Sequence, residues 1–553
     1  MRRVVLLAAL CTVTALGACG TDAASGDDGA DVATDVAADA GGDAPVTDAS
    51  DGDADEDVAP DTAPDVDEDP AADTEPSDTD IADVDVPDIS DPGPDVGPDA
   101  EPDAEPDAIT DAGPDAGEPD AGPVVDDGAV PFDWAPEAVP EDSVTFSRGV
   151  QAGAMRATSM LLWTRAVDAP SVIVRVWRPS PVEGEVLLVV DEPVEPDADG
   201  FTHHAVEGLA SDTVYHYAFA RTDAGGRIIE RSAIGRVRTA LAPGDSRSLL
   251  VGASSCTNQN RMPFEAIAMT AEEPLDFFVH TGDQTYQDSA IGLDGEGSYR
   301  EFWATSLRDP GFLALYQNVG HYLTWDDHEV TNNWDPERID TGRRDIAFQS
   351  FFETFAIERG PSGGLWNHFQ WGDTLEVIVL DCRSERLDGN YISREQMDWF
   401  KDRLLNSTAH FKVVLNSVPI TDMPVAYVDD GDRWESYDSQ RDEVISHIVD
   451  NDIRNVWFLS GDFHIGFVSH VDPEGPGRRI REIAVGPGGN SNPVPQFVRD
   501  LLFRGQFAFY TPGGSDEVMT TLEFDPDRDA VRVRFVDGLT GDVWFDRWVS
   551  ERD

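Results

Sequence analysis

The sequence predicts an α/β protein in which a layered α/β domain is preceded by an all-β sandwich. Short runs of alternating apolar and polar residues, separated by turn residues, fill residues 142–241, and this pattern is typical of a small antiparallel sandwich. From residue 246 onward, strand-like apolar runs alternate with helix-like segments, which indicates a layered α/β core. At 553 residues the chain is also too long for a single core.

Residues 1–19 have the features of an export signal. MRRVVLLAALCTVTALGACG combines two arginines with an apolar run shorter than the roughly 20 residues that a transmembrane helix needs. Its end, LGAC, resembles a bacterial lipobox, in which cleavage leaves the cysteine, here Cys19, lipid-modified. An ordinary secretory signal that happens to contain a cysteine is the alternative. Because Gly20 follows, and not aspartate, we expect an exported outer-membrane or cell-surface lipoprotein.

Residues 20–130 are predicted to form a disordered acidic stalk rich in Asp, Ala and Pro. Between Thr21 and Val130 there are 38 acidic residues, no lysine or arginine, and no aromatic residue. Such a segment cannot bury enough apolar surface to offset the entropy of ordering it. The formal net charge of the whole chain is −69, and no basic stripe is present, so we expect no complex with nucleic acid.

Residues 142–241 form the predicted β domain. Runs such as SVIVRVWRP and EVLLVVDEP alternate as half-buried strands do. EGLASDTVYHYAFA resembles the end of a fibronectin type III-like sandwich, and it would place Tyr215 and Tyr217 on one face. The composition of this region is poor in chemically reactive side chains, so we assign it no catalytic role.

Residues 246–553 form the predicted α/β domain. Its predicted strands are SLLVGASSC, LDFFVHTGD, TLEVIVLDCR, FKVVLNSVP and NVWFLSGDFH, and its predicted helices include MPFEAIAMTAEE, SREQMDWFKDRLL with Ser393 as N-cap, and RDEVISHIVDND. The run from TTLEFDPDRD to VWFDRWV predicts antiparallel strands that belong to the same domain. His280 and His321 lie within apolar runs, and we predict both to be core residues.

Five segments of this domain end on side chains that bind metals. They carry Cys256, Asp283 with Tyr286, Asp326-Asp327-His328, Asp381 with Arg383, and Asp462 with His464. Ligands collect beyond the carboxyl ends of strands in open α/β sheets. One Asp at a strand end is usually a cap or a turn residue, but five such ends predict a metal centre.

Two adjacent metal ions would suit the hydrolysis of a phosphate ester. A thiolate and a phenolate favour a trivalent or softer metal, whereas carboxylate and amide oxygens suit hard cations. Ions roughly 3.5–4 Å apart hold the attacking and leaving oxygens, and they lower the pKa of a water to give a hydroxide nucleophile. Asp283 could bridge one ion on Cys256 and Tyr286 to a second ion, whose candidate ligands are Asp326 or Asp327, Asn332 or Asn333, and Asp462 or His464. A disulfide with Cys382 is the alternative for Cys256.

GDQTY, WDDHEVTNNW and SGDFH together resemble the alkaline phosphatase D (PhoD-like) family of metallophosphoesterases. SSC before the first helix, the LDCR strand end and the upstream GVQAGAMRATSMLLWTR fit the same pattern, so the resemblance covers about residues 142–553. WDDHEVTNNW is the most specific of these motifs. The resemblance implies a four-layer α-β-β-α catalytic fold, alkaline phosphatase or phosphodiesterase activity, and a site that holds Fe³⁺ and Ca²⁺ in place of zinc.

The resemblance also implies roles for single residues. Cys256, Asp283 and Tyr286 match the iron side of the family's site. The other metal positions are matched by Asp327 (with Asp326 as its alternative), Asn333, Asp462 and His464. His328 would donate a proton to the leaving group or hydrogen-bond the phosphate. Arg383 is a candidate phosphate fork, since a guanidinium binds phosphate oxygens bidentately.

Two residues depart from the family pattern. Cys382 stands where the family usually has threonine, and Asn416 stands where many metallophosphoesterases place a histidine ligand. Asn416 would be a poor ligand for zinc or manganese, so the identity of the metals stays open.

The predicted function is that of an exported, lipid-anchored, monomeric enzyme that hydrolyses phosphate mono- or diesters. A phosphodiesterase acting on teichoic-acid-like polymers or phospholipids would use the same site. A stalked surface binding module with a degenerate hydrolase domain is the alternative from another class, and a non-hydrolytic calcium scaffold is a third. The intact motifs favour the enzyme.

Overall fold

The structure, a computed structural model, describes residues 127–287, 296–421, 430–505 and 507–553, with side chains for all of these except 296–298 and 430. The predicted signal with Cys19 and almost all of the predicted stalk lie outside the described residues. Within the described ranges, no helix combines the length and the apolar character that crossing a bilayer requires.

The described residues contain strands in three regions. The first nine are β1 Val130–Asp133, β2 Val150–Gly153, β3 Ser159–Arg165, β4 Val172–Pro179, β5 Glu185–Val194, β6 Phe201–Glu207, β7 Val214–Thr222, β8 Ile228–Arg231 and β9 Gly235–Arg238. The next seven are β10 Leu249–Thr257, β11 Phe277–His280, β12 His321–Leu323, β13 Asn367–Trp371, β14 Leu375–Val379, β15 Phe411–Leu415 and β16 Val456–Ser460. The last seven are β17 Phe467–His470, β18 Arg481–Ala484, β19 Pro487–Gly489, β20 Phe507–Tyr510, β21 Val518–Asp525, β22 Ala530–Asp537 and β23 Val543–Val549.

The α-helices of the described residues all lie after β10. They are α1 Glu265–Ala271, α2 Glu296–Ser306, α3 Pro310–Asn318, α4 Thr341–Thr354, α5 Arg394–Asn406, α6 Asp438–Asp450 and α7 Gln496–Phe503. The predicted N-cap of α5 is confirmed, because the Ser393 hydroxyl accepts a hydrogen bond from the Gln396 backbone N–H at 3.1 Å.

The strands form three sheets. The N-terminal sheet has the order β1-β5-β4-β7-β8, with β9 also paired to β7. The ten-stranded sheet has the order β23-β22-β21-β10-β11-β12-β2-β3-β6, with β19 also paired to β10, and β10, β11 and β12 run parallel. The seven-stranded sheet has the order β13-β14-β15-β16-β18-β17-β20, and β14, β15, β16 and β18 run parallel.

The two large sheets pack face to face between two layers of helices. Along β15, Val413 and Leu415 join the core between the sheets, whereas Val414 packs in a second cluster with residues of α5 and α6. This alternation is what a period of two residues produces in a strand that is buried on both faces. On the other side, α1 packs against α3 and contacts β21, and α3 contacts β2. The predicted four-layer α-β-β-α arrangement is therefore present.

The N-terminal sheet faces β2, β3 and β6, as in a sandwich, and these strands share one core. However, β2 also pairs in parallel with β12 through Gly153 and His321, so one sheet of the sandwich continues into the α/β domain. The predicted stalk also ends too late. The Asp127 carboxylate accepts hydrogen bonds from the Arg178 Nε at 2.8 Å and from the Tyr215 hydroxyl at 2.8 Å, and β1 begins at Val130. Asp127 to Val130 therefore belong to the fold.

His280 and His321 are core residues, as predicted, because both side chains are almost completely buried. Burial lowers the pKa of each imidazole to about 3, and the neighbouring His321 lowers that of His280 further. Both imidazoles are therefore neutral in the folded protein near pH 7. Within the described residues, neither nitrogen of His321 has a hydrogen-bond partner, and its ring packs 4.6 Å from that of Tyr316.

We expect His321→Phe to weaken the loss of stability at acid pH. An unfolded histidine takes up its proton near pH 6.5, whereas folded His321 does so only near pH 3, so the free energy of unfolding falls as pH drops from 6.5 towards 3. Each such histidine contributes a slope of about 1.4 kcal/mol per pH unit. Urea unfolding of both proteins between pH 7.5 and 4.5 measures the difference. Parallel curves for wild type and variant would contradict the neutral buried state of His321.

Candidate metal centre

The predicted ligands come together because parallel strands deliver them to one edge. The pairing of β10 with β11 extends past the strand end, where the Cys256 N–H donates to the Gly282 carbonyl at 3.1 Å and the Thr257 N–H to the Asp283 carbonyl at 2.8 Å. Gly282 has a φ of +109°, and a Cβ there would lie 2.6 Å from the Asp326 Cβ. This glycine lets the loops after β11 and β12 approach each other closely.

The seven-stranded sheet reaches the same place through the loop after β16. A Cβ at Gly461 would lie 2.7 Å from the Ser255 Cβ on β10, so this position also requires glycine for a close approach. The residues that follow are Asp462, Phe463 and His464. Both large sheets therefore contribute side chains to one centre.

The first cluster consists of Cys256, Asp283 and His464, whose ligand atoms all lie within 4.8 Å of one another. Tyr286 completes it, because its hydroxyl donates to Asp283 Oδ2 at 3.0 Å and lies 2.9 Å from His464 Nε2. The structure thus brings together a thiol, a phenol, a carboxylate and an imidazole, all four of which the sequence predicted as ligands.

The second cluster consists of Asp283, Asp327 and His328, whose ligand atoms also lie within 4.8 Å of one another. Asp283 is common to both clusters, which is the position that a bridging carboxylate must occupy. The His328 ring is half-buried and lies 4.0 Å from the Tyr286 ring, so the histidine sits at the margin of the centre.

Five of the predicted ligands have left-handed backbone conformations. Their φ angles are 53° at Cys256, 59° at Asp283, 47° at Asn333, 60° at Asp462 and 53° at His464. Asp and Asn tolerate this region, but it is uncommon for other non-glycine residues. Such strain persists only where the surrounding structure enforces it, and it concentrates at functional sites.

The charges of the centre fit multivalent cations. Burial raises the pKa of the Cys256 thiol and of the Tyr286 phenol well above their ordinary values, and Asp283 raises both further. Burial also raises the pKa of Asp283, and Asp327 and Asp326 add to this effect. Within the described residues, Asp326 Oδ2 and Asp327 Oδ1 are buried without a hydrogen-bond partner. Bound cations would satisfy these oxygens and favour the charged forms.

The structure separates the two adjacent aspartates. Asp327 belongs to the second cluster, whereas Asp326 does not, since Asp326 Oδ1 accepts a hydrogen bond from Arg383 Nε at 2.6 Å. Asn332 and Asn333 both have exposed side chains, and the Asn333 backbone N–H donates to Asp327 Oδ2 at 2.5 Å. Asp462 adjoins the first cluster and pairs with Arg433 at 2.8 Å. Asp327 is therefore the better ligand candidate, and the two asparagines lie at the rim.

Comparison with known proteins agrees with this geometry. A family model described as PhoD-like phosphatase matches residues 249–497, and a second, described as the N-terminal domain of PhoD-like phosphatases, matches residues 133–241. The chain belongs to the PhoD-like phosphatase family. The family predicted from the motifs is thus confirmed, and the chain is a metal-dependent phosphoesterase.

Individual relatives of this PhoD-like chain support the same assignment. Alkaline phosphatase D of Bacillus subtilis (strain 168) is 26% identical over 409 residues, which cover 61% of this chain and 68% of the relative. A solved structure of PhoD has a TM-score of 0.62 at 23% identity and covers 74% of this chain and 90% of its own. The purple acid phosphatase PPD1 from yellow lupin (Lupinus luteus) seeds has a TM-score of 0.53 at 12% identity and covers 73% of each chain. These two structures show the metallophosphoesterase fold.

The predicted role of Arg383 as a phosphate fork is wrong. Its side chain is completely buried between Asp326 and Asp432, and all three guanidinium nitrogens donate to these carboxylates. Asp432 lies 49 residues further along the chain and also binds Arg386. In this PhoD-like protein Arg383 therefore holds Asp326 in place and has no face open to a substrate.

The two departures from the family pattern turn out to contact each other. The Cys382 thiol donates to Asn416 Oδ1 at 3.1 Å, and the Trp434 indole donates to the same oxygen at 3.1 Å. Cys256 and Cys382 are both free and buried, so no disulfide joins them. Asn416 spends its oxygen on structural hydrogen bonds, which accounts for its presence at a position where relatives can carry a ligand.

Sequence reasoning missed two residues that support the PhoD-like centre. Glu329 is buried, and its carboxylate accepts the backbone N–H groups of Gln284 at 2.7 Å and of Asp326 at 2.9 Å, which ties together the loops after β11 and β12. Asn490 follows β19, which pairs with β10, and its Nδ2 lies 3.3 Å from His464 Nε2. The Glu of the DDHE motif and the Gly-rich GPGGN segment were the available signals.

Proposed function

We propose that this chain is an exported, lipid-anchored alkaline phosphatase or phosphodiesterase that uses Fe³⁺ and Ca²⁺. The observation that carries the proposal is the shared position of Asp283 between two ligand clusters, one with Cys256 and His464 and one with Asp327 and His328. A phosphoryl group can be held across two such clusters while its ester bond is broken.

The chemistry of the side chains supports the choice of metals. The thiol of Cys256 and the phenol of Tyr286 stand on one side of Asp283, where a trivalent iron would suit both donors. Asp327 on the other side offers oxygen, which suits calcium, and neutral amide oxygens of the nearby asparagines are of the same hard type. When bound, the ions would supply Lewis acidity and lower the pKa of a water molecule.

His328 has the position of a group that acts on the leaving oxygen. Its backbone N–H donates to Asp283 Oδ1 at 3.2 Å, and its ring packs on that of Tyr286, so both ends of the residue are fixed to the first cluster. Because the side chain is half-buried, it reaches both the centre and the opening. From there it can donate a proton to the departing alkoxide or hydrogen-bond the phosphate.

The class of ester is decided by comparative kinetics. The purified, metal-loaded chain is assayed with p-nitrophenyl phosphate and with bis(p-nitrophenyl) phosphate across pH 6–10, and kcat/KM is compared. A higher value for the diester assigns a phosphodiesterase, and a higher value for the monoester assigns a phosphatase. Absence of turnover on both esters would remove the proposal and favour a binding module with a hydrolase fold.

The proposed lipid anchor predicts a specific effect of Cys19→Ala. In a bacterial host, this variant should lose the incorporation of labelled palmitate and should leave the membrane fraction, because the acylated residue is absent. Cys11 lies within the apolar run of the same signal, so Cys11→Ala is a matched control that should still be labelled. Equal labelling of both variants would show that the lipobox assignment is wrong.

A further inference from the structure

Arg433 is a buried arginine beside the candidate metal centre. It directly precedes the 3₁₀ turn Trp434–Tyr437, its side chain is 3% exposed, and its Nη2 donates to Asp462 Oδ2 at 2.8 Å. The guanidinium carbon lies 4.8 Å from the centre of the Phe463 ring. Since His464 follows these two residues, Arg433 packs against the loop that delivers a member of the first cluster.

Two of the three guanidinium nitrogens of Arg433 have spare donors. Within the described residues, its Nε and Nη1 are buried and have no hydrogen-bond partner. A guanidinium carries five N–H donors, and buried donors of a charged group are unfavourable when they are left unpaired. Neutralising Asp462 occupies only one nitrogen. The other edge of the guanidinium is therefore suited to a second acceptor.

The neighbouring arginines have no comparable donor edge. All three nitrogens of Arg383 bind Asp326 and Asp432. In Arg386, Nη1 donates to Asp432 Oδ1 at 3.1 Å and Nη2 donates to the carbonyl oxygens of Cys382 and Asp432 at 3.1 and 3.0 Å. Of these three side chains, Arg433 is the one that retains two adjacent nitrogens for a ligand.

We propose that Arg433 hydrogen-bonds the non-bridging oxygens of the substrate's phosphoryl group, the role that the sequence suggested for Arg383. The inference rests on the proposed phosphoesterase function. A guanidinium edge matches two phosphate oxygens, and such hydrogen bonds are strong because both partners are charged. Asp462 is 16% exposed, so a phosphate that enters the opening at Asp462 meets Arg433 next. Without this cation, the carboxylates around the centre would repel the anionic substrate.

The test is Arg433→Lys in the full chain. Lysine keeps a positive charge for Asp462 but lacks the planar donor edge. We expect unchanged metal content and thermal midpoint, an affinity for inorganic phosphate that is about tenfold weaker by calorimetry, and a kcat/KM that is about 10²-fold lower. Arg441→Lys is the matched control, because Arg441 spends its donors on the carbonyl oxygens of Ile420 at 2.8 Å and Val471 at 3.0 Å. The control should bind phosphate as wild type does.

Wild-type phosphate affinity in Arg433→Lys would overturn the assignment, and so would a loss of metal or of thermal stability that accounts for the weaker binding. Failure of the wild-type protein to bind phosphate would overturn it as well. A wild-type protein that binds phosphate but hydrolyses no phosphate ester would instead refute the proposed function. The comparison of the two phosphate affinities would still decide whether Arg433 binds the anion.

Discussion

Replacement of Asp283 by asparagine should lower kcat/KM for a phosphate ester by about 10³-fold or more and should remove bound metal from both clusters. Asp283 is the carboxylate that the two clusters share, and an amide cannot supply the negative charge that a bridging position needs. Asparagine is preferable to alanine here because the backbone φ of Asp283 is 59°, a region that asparagine tolerates.

The same substitution should not destabilise the metal-free fold. Burial and the nearby Asp327 and Asp326 raise the pKa of the Asp283 carboxyl, so keeping this group ionised at neutral pH opposes folding. A neutral amide removes that opposition. We therefore expect the metal-free variant to unfold at the same temperature as metal-free wild type or at a higher one.

Asp452→Asn is the matched control. Asp452 also has a left-handed backbone, with a φ of 50°, but its side chain is exposed and pairs with Arg454 and Arg479. Metal content by mass spectrometry, kcat/KM and thermal unfolding should all resemble wild type in this control. If Asp283→Asn kept both its metals and its activity, the bridging role would be refuted.

Replacement of Arg383 by glutamine should reduce the free energy of unfolding by about 3–5 kcal/mol, the usual effect of breaking a buried ion pair. The guanidinium lies between Asp326 and Asp432, and its removal leaves two buried carboxylates without their cation. Arg383 and Arg386 hold the pKa of Asp432 below its ordinary value against the opposing effect of burial. Activity should fall as a consequence, because Asp326 loses its anchor beside the metal centre.

Urea unfolding distinguishes this role from the one that the sequence suggested. A phosphate fork would give a variant of normal stability with a raised KM and a weaker affinity for inorganic phosphate. Arg532→Gln serves as the control, because Arg532 forms a partly exposed pair with Asp546, and such pairs contribute less than about 1 kcal/mol. An Arg383→Gln protein as stable as the control would show that the buried pair is not structural.

The ligand set was largely predictable from sequence, and the reason is local. Cys256, Asp283 and His464 each follow a buried strand within a few residues, and parallel strands bring their carboxyl ends to one edge. The spacing of Tyr286 after Asp283 places its phenol back on the same carboxylate. These relationships depend on the strand pattern and on short loops, both of which the sequence displays.

The second shell and the domain boundaries were not predictable in the same way. The direction of the Arg383 side chain depends on Asp432, and the role of Arg433 depends on Asp462, 29 residues away. Asn490 reaches His464 only because β19 pairs with β10, a contact between segments more than 200 residues apart. Likewise, a run of acidic residues gave no sign that Asp127 is anchored by Arg178. Contacts over such distances leave no periodic pattern in the sequence.

The central claim is that Cys256, Tyr286, Asp283 and the aspartate-rich loops hold the metals of a phosphoesterase. The most direct test is one titration, in which the purified chain is stripped with chelator and reloaded with Fe³⁺ and Ca²⁺ while visible absorption and phosphate ester turnover are followed together. A tyrosinate-to-iron band that grows in step with activity, and that is absent in Tyr286→Phe, is the expected result. Activity that survives full removal of metal, or a Tyr286→Phe protein with the wild-type spectrum, would contradict the account.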